Sequence, residues 1–305
     1  MKKLVLVDAN ALLHRAYHAY PPLTTPKGEL VGAVYGFSTL LLSVIERLSP
    51  THVAVAWDVK GPTFRKEAYA EYKANRGPMD EDLVDQIDRA KEVVAVLNIP
   101  QFGITGFEAD DIIGTLAREA TDEQDDEENQ VVIVTGDRDS LQLIKDKKVV
   151  VYLPIHNRQS QSEVFDEDRV VEVYGIKPSQ VIDLKALMGD ASDNIPGVKG
   201  VGKVTATKLI QNFETLEKVY ENLDSPLITN KVRELLVVGR ESAWQSRELA
   251  TIDRNVPLTL SWEDCLLTNY DKAKAVELFE SLSFRSLIQK LPKDQWEKQA
   301  EEVFV

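Results

Sequence analysis

The sequence predicts an α/β fold, in which a mainly parallel central sheet flanked by helices is followed by an all-helical region. In the first half, apolar runs of strand length alternate with helical patterns, whereas from about residue 167 the pattern is helical. No apolar run approaches the roughly 20 residues needed to cross a bilayer. With 305 residues, 43% of them hydrophobic and 28% charged, the chain can bury a full core.

Each element follows from its local pattern. Strands are predicted where apolar runs are continuous, as in sheets covered on both faces, at Leu4–Val7, Val53–Trp57, Gln101–Thr105, Val131–Val134 and Val149–Leu153. Helical patterns lie at 31–48, 80–97, 108–120, 138–145, 167–174, 178–188, 203–213, 227–238 and 242–250. We therefore predict a catalytic domain over 1–166, a helical region over 167–291 and a tail over 292–305.

Composition narrows the functional classes. Cys265 is the single cysteine, so neither an internal disulfide nor a Cys-rich zinc site can form, and a cytoplasmic location is expected. The formal net charge of −14 argues against non-specific binding to nucleic acid. However, residues 60–76 carry five basic and two acidic side chains, and residues 197–208 carry three basic side chains and no acid. Many of the acids lie instead in 121–129, a solvated loop by composition.

Carboxylates follow several of the predicted strands and helix starts. Ligands of open parallel sheets bind outside the carboxyl ends of the strands, so these acids should converge on one edge. They are Asp8, Asp58, Glu108, Asp110, Asp111, Asp137, Asp139, Asp190 and Asp193. Any one aspartate could simply cap the next helix, but capping does not require the doubled acids. A cluster of this size needs cations among its members, and oxygen ligands without a His or Cys group favour Mg²⁺ or Mn²⁺.

Two carboxylate-held ions are typical of enzymes that displace an oxygen at phosphorus. The chain has no Walker A loop, no GxGxxG after a strand and no GxSxG elbow, which makes nucleotide-cofactor and acyl-transfer chemistry minor alternatives. Phosphodiester hydrolysis is therefore the favoured reaction.

Two basic segments could contact a nucleic acid backbone. Residues 196–203 form a glycine-rich turn leading into a helix, where glycines permit close approach and helix N–H groups suit phosphate. An ordinary helix–helix turn is the alternative. In residues 63–76, basic and aromatic side chains recur at helical spacing and could contact phosphates and stack on bases, although a solvated amphipathic helix is the simpler interpretation. These side chains are Arg65, Tyr69, Tyr72, Lys73 and Arg76.

Together the motifs resemble the 5′-nuclease (flap endonuclease) superfamily, and within it the N-terminal 5′→3′ exonuclease domains of bacterial DNA polymerase I. They stand in family order: VDAN (7–10), RAYHAYPPL (15–23), AWDVKGPTFR (56–65), YKANR (72–76), FEADDIIGTLARE (107–119), TGDRDSLQL (135–143) and LMGDASDNIPGVKGVG (187–202). The resemblance implies a PIN-like domain with a helical arch at about 60–90 and a helix–hairpin–helix motif at about 187–213.

The resemblance also implies residue roles. Asp8, Asp58, Glu108 and Asp110 would lie nearer a catalytic ion, and Asp137, Asp139, Asp190 and Asp193 nearer a second one. Lys73 and Arg76 would contact the scissile phosphate and, with Asp110, are the candidate catalytic residues. DNA contacts are expected from His14, Arg65, Tyr72, Lys73, Arg76, Gly197, Lys199, Gly200, Gly202 and Lys203, and K⁺ at the hairpin. At His14 the family usually has Tyr or Phe, and Val204 stands where it commonly has Lys.

The implied activity is structure-specific cleavage of DNA near 5′ ends, at flaps, nicks or duplex ends, in replication and repair. We expect a monomer, with no membrane association, that works with a polymerase in trans or fused in a longer chain. A PIN-like ribonuclease and a non-catalytic DNA-structure-binding protein are the competing interpretations. The hairpin and helical region disfavour the first, and the complete set of acids disfavours the second.

Overall fold

The computed structural model describes residues 2–122, 129–154 and 163–303. The strands of its central sheet are β1 Lys3–Asp8, β2 His52–Ala56, β3 Gln101–Phe102, β4 Gln130–Val134, β5 Val149–Leu153 and β6 Glu163–Phe165. They are arranged in the order β3-β2-β1-β4-β5-β6. The first five strands run parallel and β6 pairs antiparallel with β5. The predicted mainly parallel α/β sheet is confirmed.

Both faces of the sheet are covered, because successive residues of β1 point into different hydrophobic cores. Leu4 and Leu6 pack in one core, and Val5 and Val7 pack in the other. This is the burial that a continuous apolar strand requires. Because β1 pairs in parallel with both β2 and β4, the carboxyl ends of these three strands lie side by side at one edge of the sheet.

The helices of the first half are α1 Ala9–Ala19, α2 Gly32–Leu48, α3 Phe64–Ala68, α4 Glu81–Val96 and α5 Ala109–Asp122. The remaining helices are α6 Glu167–Tyr174, α7 Val181–Met188, α8 Lys203–Phe213, α9 Leu216–Glu221, α10 Asn230–Val238, α11 Arg240–Ala250, α12 Lys272–Ser281, α13 Arg285–Ile288 and α14 Gln295–Val303. The all-helical second region is thus confirmed. Phe279 and Phe284, on α12 and just before α13, pack in the same core as Phe37 of α2.

Several elements differ from prediction. Helix α1 was not predicted, although its buried residues Ala9, Leu12, Leu13 and Ala16 have helical spacing and Asp8 caps it. The segment 138–145 forms a 3-10 helix, Arg138–Leu143, instead of an α-helix. Of the predicted acidic loop at 121–129, residues 123–128 lie outside the described residues, as do residues 304–305 of the tail.

The predicted helical arch is discontinuous. Helix α3 ends at Ala68, turns occupy 70–76, and α4 begins only at Glu81. Lys73 has a φ of 52°, which no α-helical residue adopts. The helical spacing inferred for residues 65–76 is therefore wrong. Within the ranges given above, no helix combines the length and apolarity needed to cross a membrane.

Candidate metal centre and DNA interface

Three neighbouring strands deliver carboxylates to one edge of the sheet. Asp8 ends β1, Asp58 follows β2, and Asp137 follows β4. Asp8 does cap α1, since its Oδ1 accepts from Ala11 N–H at 3.0 Å, while its Oδ2 accepts from Thr135 Oγ1 at 2.8 Å. Burial, followed by the charges of Asp58 and Asp137, raises the pKa of Asp8 to about 6. A cation at this edge would stabilise the ionised form of Asp8 and lower its pKa.

Helix α5 brings further acids to the same place. Asp58 Oδ1 accepts from the Ala109 N–H at 2.8 Å, which ties the start of α5 to β2. Asp110 Oδ1 is buried and meets no hydrogen-bond donor from the residues that the structure describes. Burial and the charges of Asp111 and Glu108 raise the pKa of Asp110 well above its usual range. A buried carboxylate oxygen without a partner fits a metal ligand, because an unpaired buried charge is costly.

A second group of acids surrounds a lysine that sequence reasoning missed. Lys185 of α7 is 8% exposed and forms ion pairs with Asp139 and with Asp190, the latter at 2.5 Å. Burial and the neighbouring Asp137 raise the pKa of Asp139 to about 7. Burial alone would raise the pKa of Asp190, but hydrogen bonds from Lys185 and Ser192 lower it to about 2. A charged residue within the apolar run of α7, five residues before Asp190, was the available signal.

The arch cations contact the acids directly. Lys73 Nζ donates to Glu108 Oε2 at 2.9 Å and lies 3.8 Å from Asp193 Oδ2, while Arg76 is paired with Asp193. Asp193 therefore lies with Glu108 and the arch, and its predicted place beside Asp139 and Asp190 is not what the structure shows. Lys73 and Arg76 therefore lie at the acids themselves.

Two predicted DNA contacts, Arg65 and Tyr72, and one predicted metal ligand, Asp111, are inside the protein. Arg65 is 2% exposed and Asp111 is 0% exposed, and they form a two-point ion pair at 2.6 and 2.8 Å. Arg65 cannot contact DNA in this structure, and Asp111 cannot face a metal with the other acids. Tyr72 is 3% exposed, and its hydroxyl donates to Glu108 and Asp193 at 3.0 and 3.3 Å, so its ring is not free to stack on a base.

Two adjoining clefts are lined by the other acids of the predicted set except Asp193. The larger, of about 660 Å³, is lined by Asp8, Asp58, Glu108, Asp110, Asp137, His14, Lys73 and Arg76. The smaller, of about 380 Å³, is lined by Asp137, Asp139, Asp190 and Lys185, with apolar side chains behind them. Asp137 belongs to both. Among the described residues no three Asp, Glu, His or Cys side chains are already arranged around a common point as metal ligands. Ions would enter by displacing the lysine and arginine contacts.

The glycine hairpin joins α7 to α8. Gly197 has a φ of 62° and is buried: its N–H donates to Ser246 Oγ at 2.9 Å, and a Cβ there would lie 2.2 Å from Gly189 N. It therefore shapes the turn and is not an exposed DNA contact. Among the predicted DNA contacts of the hairpin, the exposed ones are Lys199, Gly200, Gly202 and Lys203. Gly202 is the N-cap of α8, so the free N–H groups of that helix begin beside Lys203.

Comparison with known proteins identifies the family. A family model described as "5'-3' exonuclease, N-terminal resolvase-like domain" matches residues 3–175, and one described as "5'-3' exonuclease, C-terminal SAM fold" matches residues 176–273. The chain belongs to the 5′-3′ exonuclease family. As a member of this family, the chain is a nuclease.

Individual relatives agree with this assignment. The chain is 41% identical over 289 residues to DNA polymerase I of Caldicellulosiruptor bescii, and the match covers 95% of this chain and 33% of the polymerase. The chain thus spans about a third of the length of the curated relatives it matches.

Solved structures share the fold. T5 5′-exonuclease with bound zinc has a TM-score of 0.67 and 21% identity, covering 95% of this chain and 99% of that one. The bacteriophage T5 flap endonuclease in a pseudo-enzyme-product complex with DNA and metal ions also has a TM-score of 0.67 and 21% identity, covering 92% and 100%.

Proposed function

We propose that this family member is a structure-specific 5′→3′ exonuclease and flap endonuclease that hydrolyses DNA phosphodiester bonds near 5′ ends by a two-metal-ion mechanism. The observation that carries the proposal is the juxtaposition of two acid groups with Lys73 and Arg76 at the edge of the sheet. Acids that can hold divalent cations and basic side chains that can hold a phosphate meet within hydrogen-bond distance.

Two acid groups would hold Mg²⁺ or Mn²⁺. The first ion would be held by Asp8, Asp58, Glu108 and Asp110. It would provide a partner for the buried Asp110 Oδ1, which accepts no hydrogen bond from the described residues. Asp137, Asp139 and Asp190 would hold the second, in place of the Lys185 ammonium. When bound, such ions supply positive charge to the attacking and leaving oxygens of an in-line displacement at phosphorus.

The basic side chains of this chain position the substrate. Lys73 and Arg76 would exchange their carboxylate contacts for oxygens of the scissile phosphate, and His14 in the larger cleft would lie against a base near the cut. The exposed hairpin residues around Lys199 and Lys203, with the N-terminus of α8, would hold the backbone of the duplex. Hairpin binding of K⁺ is part of the proposal, as a further counter-charge to phosphate.

The biological setting is proposed from the relatives. Because the matched relatives are DNA polymerase I proteins, we propose DNA with 5′ flaps, nicks or ends as the substrate, and a polymerase, fused or in trans, as the partner that fills the gap. A monomer acting in the cytoplasm in replication and repair completes the proposal.

The test is cleavage of a 5′-labelled flap duplex with Mg²⁺, with Mn²⁺ and with EDTA. The wild type should release short 5′ products only with a divalent ion. Asp110→Ala should abolish cleavage while flap binding persists, and Asp224→Ala, which removes a fully exposed acid that lines neither cleft, should cut like the wild type. Flap binding without cleavage by the wild type would instead support a DNA-structure-binding protein, and preferential cutting of RNA a PIN-like ribonuclease.

A further inference from the structure

The base of the arch is held against the turn that carries Asp190 and Asp193. Asn75 Nδ2 donates to Ala191 O at 2.7 Å, and in the opposite direction Asn194 Nδ2 donates to Glu71 O at 2.7 Å. Between these two bonds, the Lys73 N–H donates to Asp193 O at 2.9 Å. Each segment thus contributes one asparagine amide to a main-chain carbonyl of the other, across more than a hundred residues of sequence.

Both segments need such support. The turn is closed by a pair of backbone hydrogen bonds between Asp190 and Ile195, at 2.8 and 2.9 Å, so it offers a fixed surface. Lys73 itself has a φ of 52°, an unfavourable left-handed conformation for a lysine. Such conformations persist only where surrounding contacts hold them, and they cluster at functional sites. Asn194, with a φ of 56°, is a residue type that tolerates this conformation.

We propose that Asn75 and Asn194 form a reciprocal amide clasp that positions Lys73 and Arg76 over the acid groups. They are positioning residues: neither amide contacts a carboxylate of the site, and both act through the backbone of residues 71–76. Because of the clasp, the backbone that carries Lys73 and Arg76 is held at a fixed place relative to the acids. The distance between the arch cations and the acids therefore does not depend only on the flexible lysine and arginine side chains. The inference rests on the proposed function, because Lys73 and Arg76 matter to the rate only if they hold the scissile phosphate.

Variants can remove each amide without altering the backbone. Asn75→Ala removes an exposed side chain, and Asn194→Gly removes the other while keeping the positive φ accessible. Asn222→Ala is the matched control, because its exposed amide donates at 2.8 Å to Lys218 O, within its own helix turn and away from the arch. All variants are made in the full chain.

In the flap assay with DNA varied from below to above KM, Asn75→Ala and Asn194→Gly should each lower kcat about tenfold with KM within about threefold, since small misplacements of positioning groups lower rates strongly. In a Lys73→Ala background the same substitutions should have much less effect, which a merely structural loss would not show. Rates within twofold of Asn222→Ala, or full additivity with Lys73→Ala, would overturn the clasp while leaving the nuclease proposal standing.

Hydrogen exchange tests the clasp without any cleavage. In the DNA-free protein, the amides of residues 70–76 should exchange at least about tenfold faster in Asn75→Ala and Asn194→Gly than in the wild type or Asn222→Ala, as opened segments do. Unchanged exchange in this segment would refute the clasp even if the wild type proved inactive on flaps. Faster exchange with an inactive wild type would support the clasp and refute the nuclease proposal.

Discussion

The buried pair of Arg65 and Asp111 connects three parts of the chain, and its loss should destabilise all of them. Beyond its two bonds to Asp111, Arg65 donates to the carbonyl oxygens of Leu249 at 3.0 Å and Thr251 at 2.7 Å. Asp111 Oδ1 also accepts from the Asp253 N–H at 2.8 Å. The pair therefore ties α3 and α5 to the last turn of α11 and to the chain that follows it.

Asp111→Asn keeps the shape of the side chain but removes the charge opposite Arg65. Glu108 remains 3.5 Å from the guanidinium, which is too long to replace a two-point contact. Breaking a buried pair by removing one partner costs about 3–5 kcal/mol. For a chain of 305 residues unfolding cooperatively, this lowers Tm by about 5–8 °C.

Urea and thermal unfolding followed by circular dichroism measure this loss. Asp224→Asn is the control, because this fully exposed carboxylate is paired with Arg233 at 3.6 Å, and it should leave the midpoint unchanged. The double variant Arg65→Met with Asp111→Leu should recover only part of the stability, because it removes the unpaired charge but leaves the Leu249 and Thr251 carbonyls and the Asp253 N–H without their side-chain partners. A loss below about 1 kcal/mol in Asp111→Asn would refute the reasoning.

The same variant tests the change of role for Asp111. Since its carboxylate faces Arg65 and not the clefts, Asp111→Asn should titrate with Mn²⁺ like the wild type, whereas Asp110→Asn should lose affinity for one ion. If Asp111→Asn lost an ion while unfolding normally, Asp111 would be a metal ligand as the sequence suggested.

Three further predictions concern the acid groups. The pKa of Asp8 is raised to about 6 from an ordinary 3.8, so in EDTA the Asp8 carboxyl stabilises the folded state below about pH 4 and this stability is lost as the pH rises through 6. Asp8→Asn should remove this decline, measured as urea midpoints from about pH 4.5 to 7.5. Lys185→Met removes the cation between Asp139 and Asp190, so calorimetric Mn²⁺ affinity should rise about tenfold, and unchanged affinity would exclude competition. Lys73→Ala should reduce the salt slope of flap binding in EDTA by about 1, measured by anisotropy at several salt concentrations; an unaltered slope would remove it from the phosphate contacts.

The sequence predicted the site best where acidic residues directly follow apolar strands. Asp8, Asp58 and Asp137 were predicted to converge because they end apolar strands, and the parallel order of β2, β1 and β4 brings them together. The helical second region was likewise predictable from its pattern. By contrast, β6 is three residues long, too short for periodicity to reveal.

Side-chain roles were less predictable, because they depend on what lies opposite. Arg65 and Tyr72 are residue types common on DNA-binding surfaces, but both are buried, and their polar groups donate to Asp111 and Glu108. Lys185 was not predicted, because only the fold places Asp139 and Asp190 beside this lysine of the apolar helix α7. Asp111 differs from Asp110 by one position on α5, which rotates it about 100° away from the cleft and toward Arg65.

The acids come from two separately recognised stretches of the chain. Asp8, Asp58, Glu108, Asp110, Asp137 and Asp139 lie in residues 3–175, whereas Asp190 and Asp193 lie in residues 176–273. A gene fragment encoding only the first stretch would carry an unfinished centre, with Asp139 and the arch base facing solvent. The boundary between the two stretches is therefore a poor place to divide this protein, whether in recombinant engineering or in the exchange of modules during evolution.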